Sequence, residues 1–279
     1  MFSWIRSIPR SAILSMVGPS LLCVIGYFGW LYYGAHNLDI AYYGLKKENI
    51  LITQQPPWLK KTNVLDEVFN GGSLSRLSLL DGKTPEFLAR VFDAHPCVFK
   101  THRVEKMAGG VVVNLEYRIP VAMVSCRCQG KEGFFPVDKE SVLLNADNFS
   151  ETDIPQYITI FPSETALETN GNEGRPFGDP RVAEAAVLCS LLRPLREAVK
   201  ISQVLVYPSS VAGKAKWVLE IHTTETGPSF VWGSCPGKEG LGEALPETKL
   251  KRLIEVASDG KQWKQGRIDL SSLQIGTAR

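Results

Sequence analysis

Leu115–Val124 reads LEYRIPVAMV. Its pattern predicts extended chain on both sides of Pro120, yet a proline has no N–H to give to a ladder and is confined to sheet edges, bulges and junctions. Which of these it marks decides how the chain is divided.

Upstream, CVFKTHRVEKM and VVVNLEYR are two strand-like runs separated by Ala108-Gly109-Gly110. That spacing suits a hairpin, because glycine tolerates the positive φ of a tight turn. Before them, Thr84 as cap, Pro85 in the first turn and Glu86 near the positive end of the dipole open a helix with Phe87, Leu88, Val91 and Phe92 on one face. Pro96 closes it, and His95 reads as a helix-end residue. An earlier helix is capped by Thr62 or Asn63, carries Val64, Leu65, Val68 and Phe69, and stops at Gly71-Gly72. A strand, Ile50–Thr53, is halted by Pro56 and Pro57. The order is strand, helix, helix, strand, strand, finishing at Arg118, so Pro120 marks a junction and VAMVSCRC opens a second unit.

That second unit reads mostly as strands. Phe134–Val137 and Val142–Leu144 flank a turn at Asp138-Lys139-Glu140, and Ile154–Phe161 is extended. Ser163–Asp179 is rich in turn formers and reads as a loop. Pro180 opens a helix with a wide apolar stripe from Val182 to Leu195, which Pro194 ends or kinks. Strands follow at Ile201–Tyr207, Trp217–Thr223 and Ser229–Trp232, then a helix at Glu247–Ala257 and a last strand at Arg267–Leu273. Trp217, Trp232 and Trp263 read as core or interface aromatics.

At the other end of the chain, Ser11–Ala35 holds no charged residue. At a rise of about 1.5 Å per residue the run can cross a hydrocarbon core roughly 30 Å thick, which predicts a transmembrane helix. Trp30, Tyr32 and Tyr33 would form its aromatic belt, and Arg6 and Arg10 would hold the N-terminus in the cytoplasm. A cleaved signal peptide is the alternative, with a shorter apolar region and a small-residue cleavage pattern. Of 31 basic residues two precede this run, so the remainder balances the 29 acidic ones. No nucleic-acid footprint is visible.

Beyond Cys23, five cysteines remain, Cys97, Cys126, Cys128, Cys189 and Cys235. Cys126 and Cys128 would point to one face of a strand, which disfavours a mutual bond. Buried free thiols and a bridge to another cysteine both remain open. His36, His95, His102 and His222 show no zinc-like spacing, so no metal and no cofactor is expected. Gly233-Ser234-Cys235-Pro236-Gly237 has the outline of an exposed nucleophile turn with His222 as base. A Gly/Pro turn is the simpler account, and no catalytic residue is assigned.

Together these elements resemble the FtsQ/DivIB family of bacterial division proteins. His95–Val124 is similar to the family segment that ends in an Arg-x-Pro-Val-Ala junction, here Arg118, Pro120, Val121 and Ala122. FFPVDKESVLL resembles its Val-Asp turn, and KLKRLIEV with GRIDL its last helix and strand. The chain departs from the pattern at Cys97, at Gln54-Gln55-Pro56-Pro57 and at Ser271-Ser272. The resemblance implies an α+β protein with a single N-terminal transmembrane helix, a β-α-α-β-β POTRA domain and a mostly-β domain with helices. Its divisions would be a cytoplasmic 1–10, a membrane helix 11–35, a linker 36–47, a POTRA domain 48–124 and a β domain 125–279.

By the same resemblance the protein would be a non-catalytic scaffold of the division machinery in the bacterial inner membrane, with its bulk in the periplasm. Its partners would be the membrane and other membrane-anchored division proteins (FtsB/FtsL-like, FtsK-like, FtsW/FtsI-like), with no nucleic acid or small-molecule substrate. An incoming strand can satisfy the free groups of a sheet edge, and the expected edge is Arg267, Ile268, Asp269, Leu270, Ser271, Ser272 and Leu273, with Val98–Met107 as a second candidate. An adaptor in another envelope assembly or secretion complex is the alternative. The sixteen-strand barrel that follows the POTRA units of outer-membrane assembly and secretion proteins needs more residues than follow Val124.

Overall fold

The computed structural model describes residues 10–34, 42–71, 74–128, 130–162, 167–169, 171–211, 214–224, 227–258, 266–272 and 276–277. It is an α+β protein whose contacts divide it into two units. The first comprises Met1–Thr53, Leu65–Phe92 and Thr101–Leu115, the second Gln54–Val64, Asp93–Lys100 and Glu116–Arg279. Segments 54–64 and 93–100, expected within a POTRA domain, therefore belong to the second unit.

The expected transmembrane helix is corrected. Among the described residues no helix is long and apolar enough to cross a membrane. Helix α1 (Arg10–Gly29) carries Pro19 in its interior, and at Trp30–Gly34 the chain changes to a wider π-helical turn. The apolar run is thus not one continuous α-helix, since proline removes a hydrogen bond and the π turn changes the rise. The orientation argued from Arg6 and Arg10 rested on that span.

Next come β1 (Ile50–Ile52), α2 (Val64–Gly71), α3 (Thr84–Asp93), β2 (Val98–Met107) and β3 (Gly110–Tyr117). The three strands form a sheet in the order β1-β3-β2, with Ile50 opposite Val111 and Ile52 opposite Val113 in a parallel pair. The hairpin turns where expected, at Gly109 with φ 81°. Gly110 lets the backbone carbonyl of Asn49 approach where a Cβ would stand. Ile50, Val68, Leu88, Phe92, Val111 and Val113 are buried. The Thr84 hydroxyl donates to the Ser78 carbonyl at 2.6 Å, fixing the start of α3.

The second unit holds β4 (Ala122–Cys128), β5 (Lys131–Val137), β6 (Ile158–Pro162), β7 (Glu168–Thr169), α4 (Pro180–Leu192), α5 (Arg196–Val199), β8 (Ile201–Val211), β9 (Lys214–Thr223), β10 (Ser229–Gly233), α6 (Pro246–Ser258), β11 (Arg267–Asp269) and β12 (Gly276–Thr277). Its nine-stranded sheet runs β12-β11-β10-β9-β8-β6-β4-β5, with β7 also beside β4. The sheet is mixed: β6 is parallel to β4 and β8, whereas β8, β9 and β10 form antiparallel pairs. Helix α4 lies against β4, β6 and β8. Val182, Leu188 and Cys189 from the helix join Val124, Ile160, Val204 and Ile221 from the strands in one core.

Local chemistry explains the boundaries. Asp179 caps α4 by accepting from the Arg181 N–H at 2.8 Å, and Pro180 needs no partner at the first turn. Pro194 tightens the helix end into a 3-10 turn, Arg193–Leu195. Pro155 does the same at Ile154–Gln156, so the extended run expected from Ile154 begins at Ile158. Segment 54–64 is tied within the unit by Asn148, whose Oδ1 accepts from the N–H groups of Lys61 and Thr62 at 2.9 and 3.0 Å.

Candidate functional site

The structure places the two groups of expected site residues in different parts of the second unit. At the proline junction, Pro120 stands between the end of β3 and the start of β4 and belongs to neither. Val121 donates its N–H to Val137, and the fully buried Ala122 pairs with Val137 and Ile158. Arg118 donates its own N–H to the Cys97 carbonyl at 2.9 Å.

The Arg118 guanidinium meets Asp138 at 2.5 Å and Glu140 at 3.3 Å. Asp138 is buried, and its other oxygen accepts from the N–H groups of Glu140 and Val142 at 2.9 and 2.8 Å. The Phe99 ring lies beneath two cations, Arg118 at 5.4 Å and Lys139 at 4.7 Å. Burial, and then the neighbouring Cys97, push the Tyr117 phenol up to about 12.

At the C-terminal end, the expected strand Arg267–Leu273 is a strand only over Arg267–Asp269, and it is not outermost. Strand β10 pairs with it in parallel on one side, and β12 covers the other, with Ile268 opposite Thr277 and Asp269 opposite Gly276. Leu273 lies outside the described residues.

The remaining residues are engaged internally. Leu270 is fully buried and donates its N–H to Val231 at 2.9 Å. Ser271 donates its N–H and its hydroxyl to Asp269, at 2.8 and 2.6 Å, and its carbonyl accepts from Ala244. The Ser272 carbonyl accepts from Arg252 at 2.5 Å. Arg267 reaches across the sheet to Glu220 at 2.8 Å and to the Tyr207 hydroxyl at 2.5 Å. Burial raises the Glu220 carboxyl, but hydrogen bonds from His222, Arg267 and Ser229 outweigh it and hold the group at about 2.

Sequence reading missed the supports of this end. Glu243 receives the Ser234 N–H at 2.7 Å and the Lys249 ammonium at 2.8 Å, and Lys249 is fully buried beneath the Trp232 ring. A signal existed: Lys249, Leu253 and Val256 fall at i, i+4 and i+7, so a cation occupies a core-facing position.

The possible nucleophile turn is dispersed. His222 stands opposite Ser229 and contacts Glu220, while Ser234 lies five residues further on, about 16 Å at roughly 3.3 Å per residue. The Ser234 hydroxyl is bonded to Glu243, and burial, followed by the Glu184 charge, raises the Cys235 thiol to about 11. Among the described residues no group of His, Cys, Asp and Glu could hold a metal ion. Compared with known proteins, the chain matches no family model and no curated protein.

Proposed function

We propose that the chain is a non-catalytic adaptor that takes up an extended segment of a partner protein at the C-terminal end of its large sheet, within a bacterial division assembly. One observation carries the reading. Strand β11 accepts a strand on its outer side, because β12 pairs there, and that cover spans only two residues. A backbone edge so lightly closed can add a partner strand, gaining main-chain hydrogen bonds with specificity from alternate side chains.

The division context rests on the resemblance to the FtsQ/DivIB family. It is supported by the strand-helix-helix-strand-strand order, by a sheet ordered β1-β3-β2, and by the large mixed sheet that follows Pro120.

Imaging the full chain, fused to a fluorescent protein, in growing cells tests the context. Concentration at constriction sites is the expected result, and uniform signal with undisturbed division after depletion contradicts it. A photo-crosslinking residue at Ile268 or Thr277 tests the edge: discrete adducts are expected there and not at Ser229, which lies inside the sheet. Equal labelling from all three positions contradicts strand addition.

A further inference from the structure

We propose that the second unit carries another docking site, separate from the sheet end: a furrow that receives an extended, acidic segment of a partner protein. Three cavities of about 390, 310 and 570 Å³ adjoin one another, the first two sharing Arg193 and the last two sharing Tyr157. Every lining residue belongs to the second unit. Shared walls make the row a track for a polymer.

The walls are suited to peptide. Phe99, Val121 and Pro194 face the first cavity. In the second, Trp58 stacks on Phe149 at 5.8 Å, and Phe149 meets Tyr157 edge-on at 5.6 Å, beside Pro57 and Pro120. Ile154, Pro155 and Ile201 line the third. Three N–H donors in these walls, Trp58 Nε1, Arg118 Nε and Arg196 Nε, are buried and have no acceptor among the described residues. An extended peptide carries a carbonyl acceptor at every residue.

Charge decides the partner's character. Arg118 is neutralised by Asp138, and Lys60 by Asp153. That leaves Lys139 in the first cavity, Arg193 between the first and second, and Arg196 and Lys200 in the third; among the described residues none of these is paired with a carboxylate, Arg196 donating instead to the Pro155 carbonyl. Arg193 is exposed at the end of α4, where the helix dipole already favours a cation, so the guanidinium is available to a carboxylate on the ligand. Glu116, Asp138, Asp153 and Glu197 are interleaved with these cations and disfavour a continuous polyphosphate such as nucleic acid.

The test selects a randomised displayed-peptide library, about twelve residues long and so roughly 40 Å when extended, on the purified full chain. Recovered peptides should be rich in Asp and Glu alongside Pro or aromatic residues. Their binding should fall about tenfold or more in Arg193→Glu and Lys139→Glu and weaken with salt, while Thr277→Pro at the sheet end leaves it unchanged. Both furrow positions are exposed, and unchanged thermal melting of the variants shows that they fold. No enrichment, enrichment without acidic residues, equal binding by the charge-reversed variants, or tighter binding of an oligothymidine of similar length would each overturn the proposal. Loss of binding in Thr277→Pro would also overturn it, by moving the site to the sheet end.

Discussion

Lys249 is the residue where burial and charge are most directly opposed. A fully buried ammonium is tolerated because Glu243 accepts from it at 2.8 Å and the Trp232 ring lies 5.1 Å away. Removing one partner leaves the other charge without compensation, so Lys249→Met is expected to cost about 3–5 kcal/mol in denaturant unfolding. Adding Glu243→Gln should recover part of the loss, and strictly additive losses would contradict the coupling. Acid tests the same pair. Burial raises Glu243, but bonds from Lys249, Ser234 and Gly240 hold it at about 2, as Glu220 is held at about 2. Both pKa values are depressed from 4.5, so their contribution is complete above that pH and is lost as pH falls towards 2. Glu220→Gln and Glu243→Gln should each flatten the fall in stability across that window. An unchanged slope would show that neither carboxylate is held down by folding.

Gly233 shows how one element end depends on backbone freedom. It leaves β10 with φ 90°, and a Cβ there would meet the Glu243 carboxylate and lie 2.8 Å from the Ser271 Cβ. Gly233→Ala is expected to cost about 1–3 kcal/mol and to raise hydrogen exchange at Leu270–Ser272. Gly237→Ala, at φ 84° with open space around it, should cost less and leave that exchange unchanged. Equal effects would place the penalty in φ alone. At this scale the sequence was legible where a local rule acts: Asp179 and Pro180 open α4, Pro194 bends its end, and Gly109 turns the β2–β3 hairpin. It was illegible where pairing is long-range. The two-residue strands β7 and β12 have no periodicity to read, and they acquire strand geometry only because β4 and β11 lie alongside. The outermost position expected of Arg267–Leu273 failed for that reason. The membrane span was over-read because the lack of charge was weighed above Pro19, which the sequence does show, and because no local signal announces the π turn at Trp30–Gly34.

Across the whole molecule the cysteines report on cooperativity. Among the described residues the six form no disulfide: Cys23 is exposed, Cys128 partly so, and Cys97, Cys126, Cys189 and Cys235 are buried. Burial also suppresses the reactive thiolate, raising Cys126 to about 12 and Cys235 to about 11. A thiol reagent applied to the native protein should therefore label Cys23 quickly and Cys128 more slowly, and should reach the other four only on unfolding. Without reductant, the denatured chain should titrate as six thiols; four thiols, restored to six by a reductant, would establish a disulfide. The pattern of release carries the larger argument. Cys126 on β4, Cys189 on α4 and Cys235 after β10 lie far apart in sequence yet share one hydrophobic core, to which Cys97 does not belong. In a urea series read by mass spectrometry, those three should become reactive at one common midpoint, because a single core opens as a unit. Separate midpoints would mean that the sheet opens in parts. The C-terminal end, the furrow and the junction would then rest on structures of different stability, and binding at one could be lost while the others remained folded.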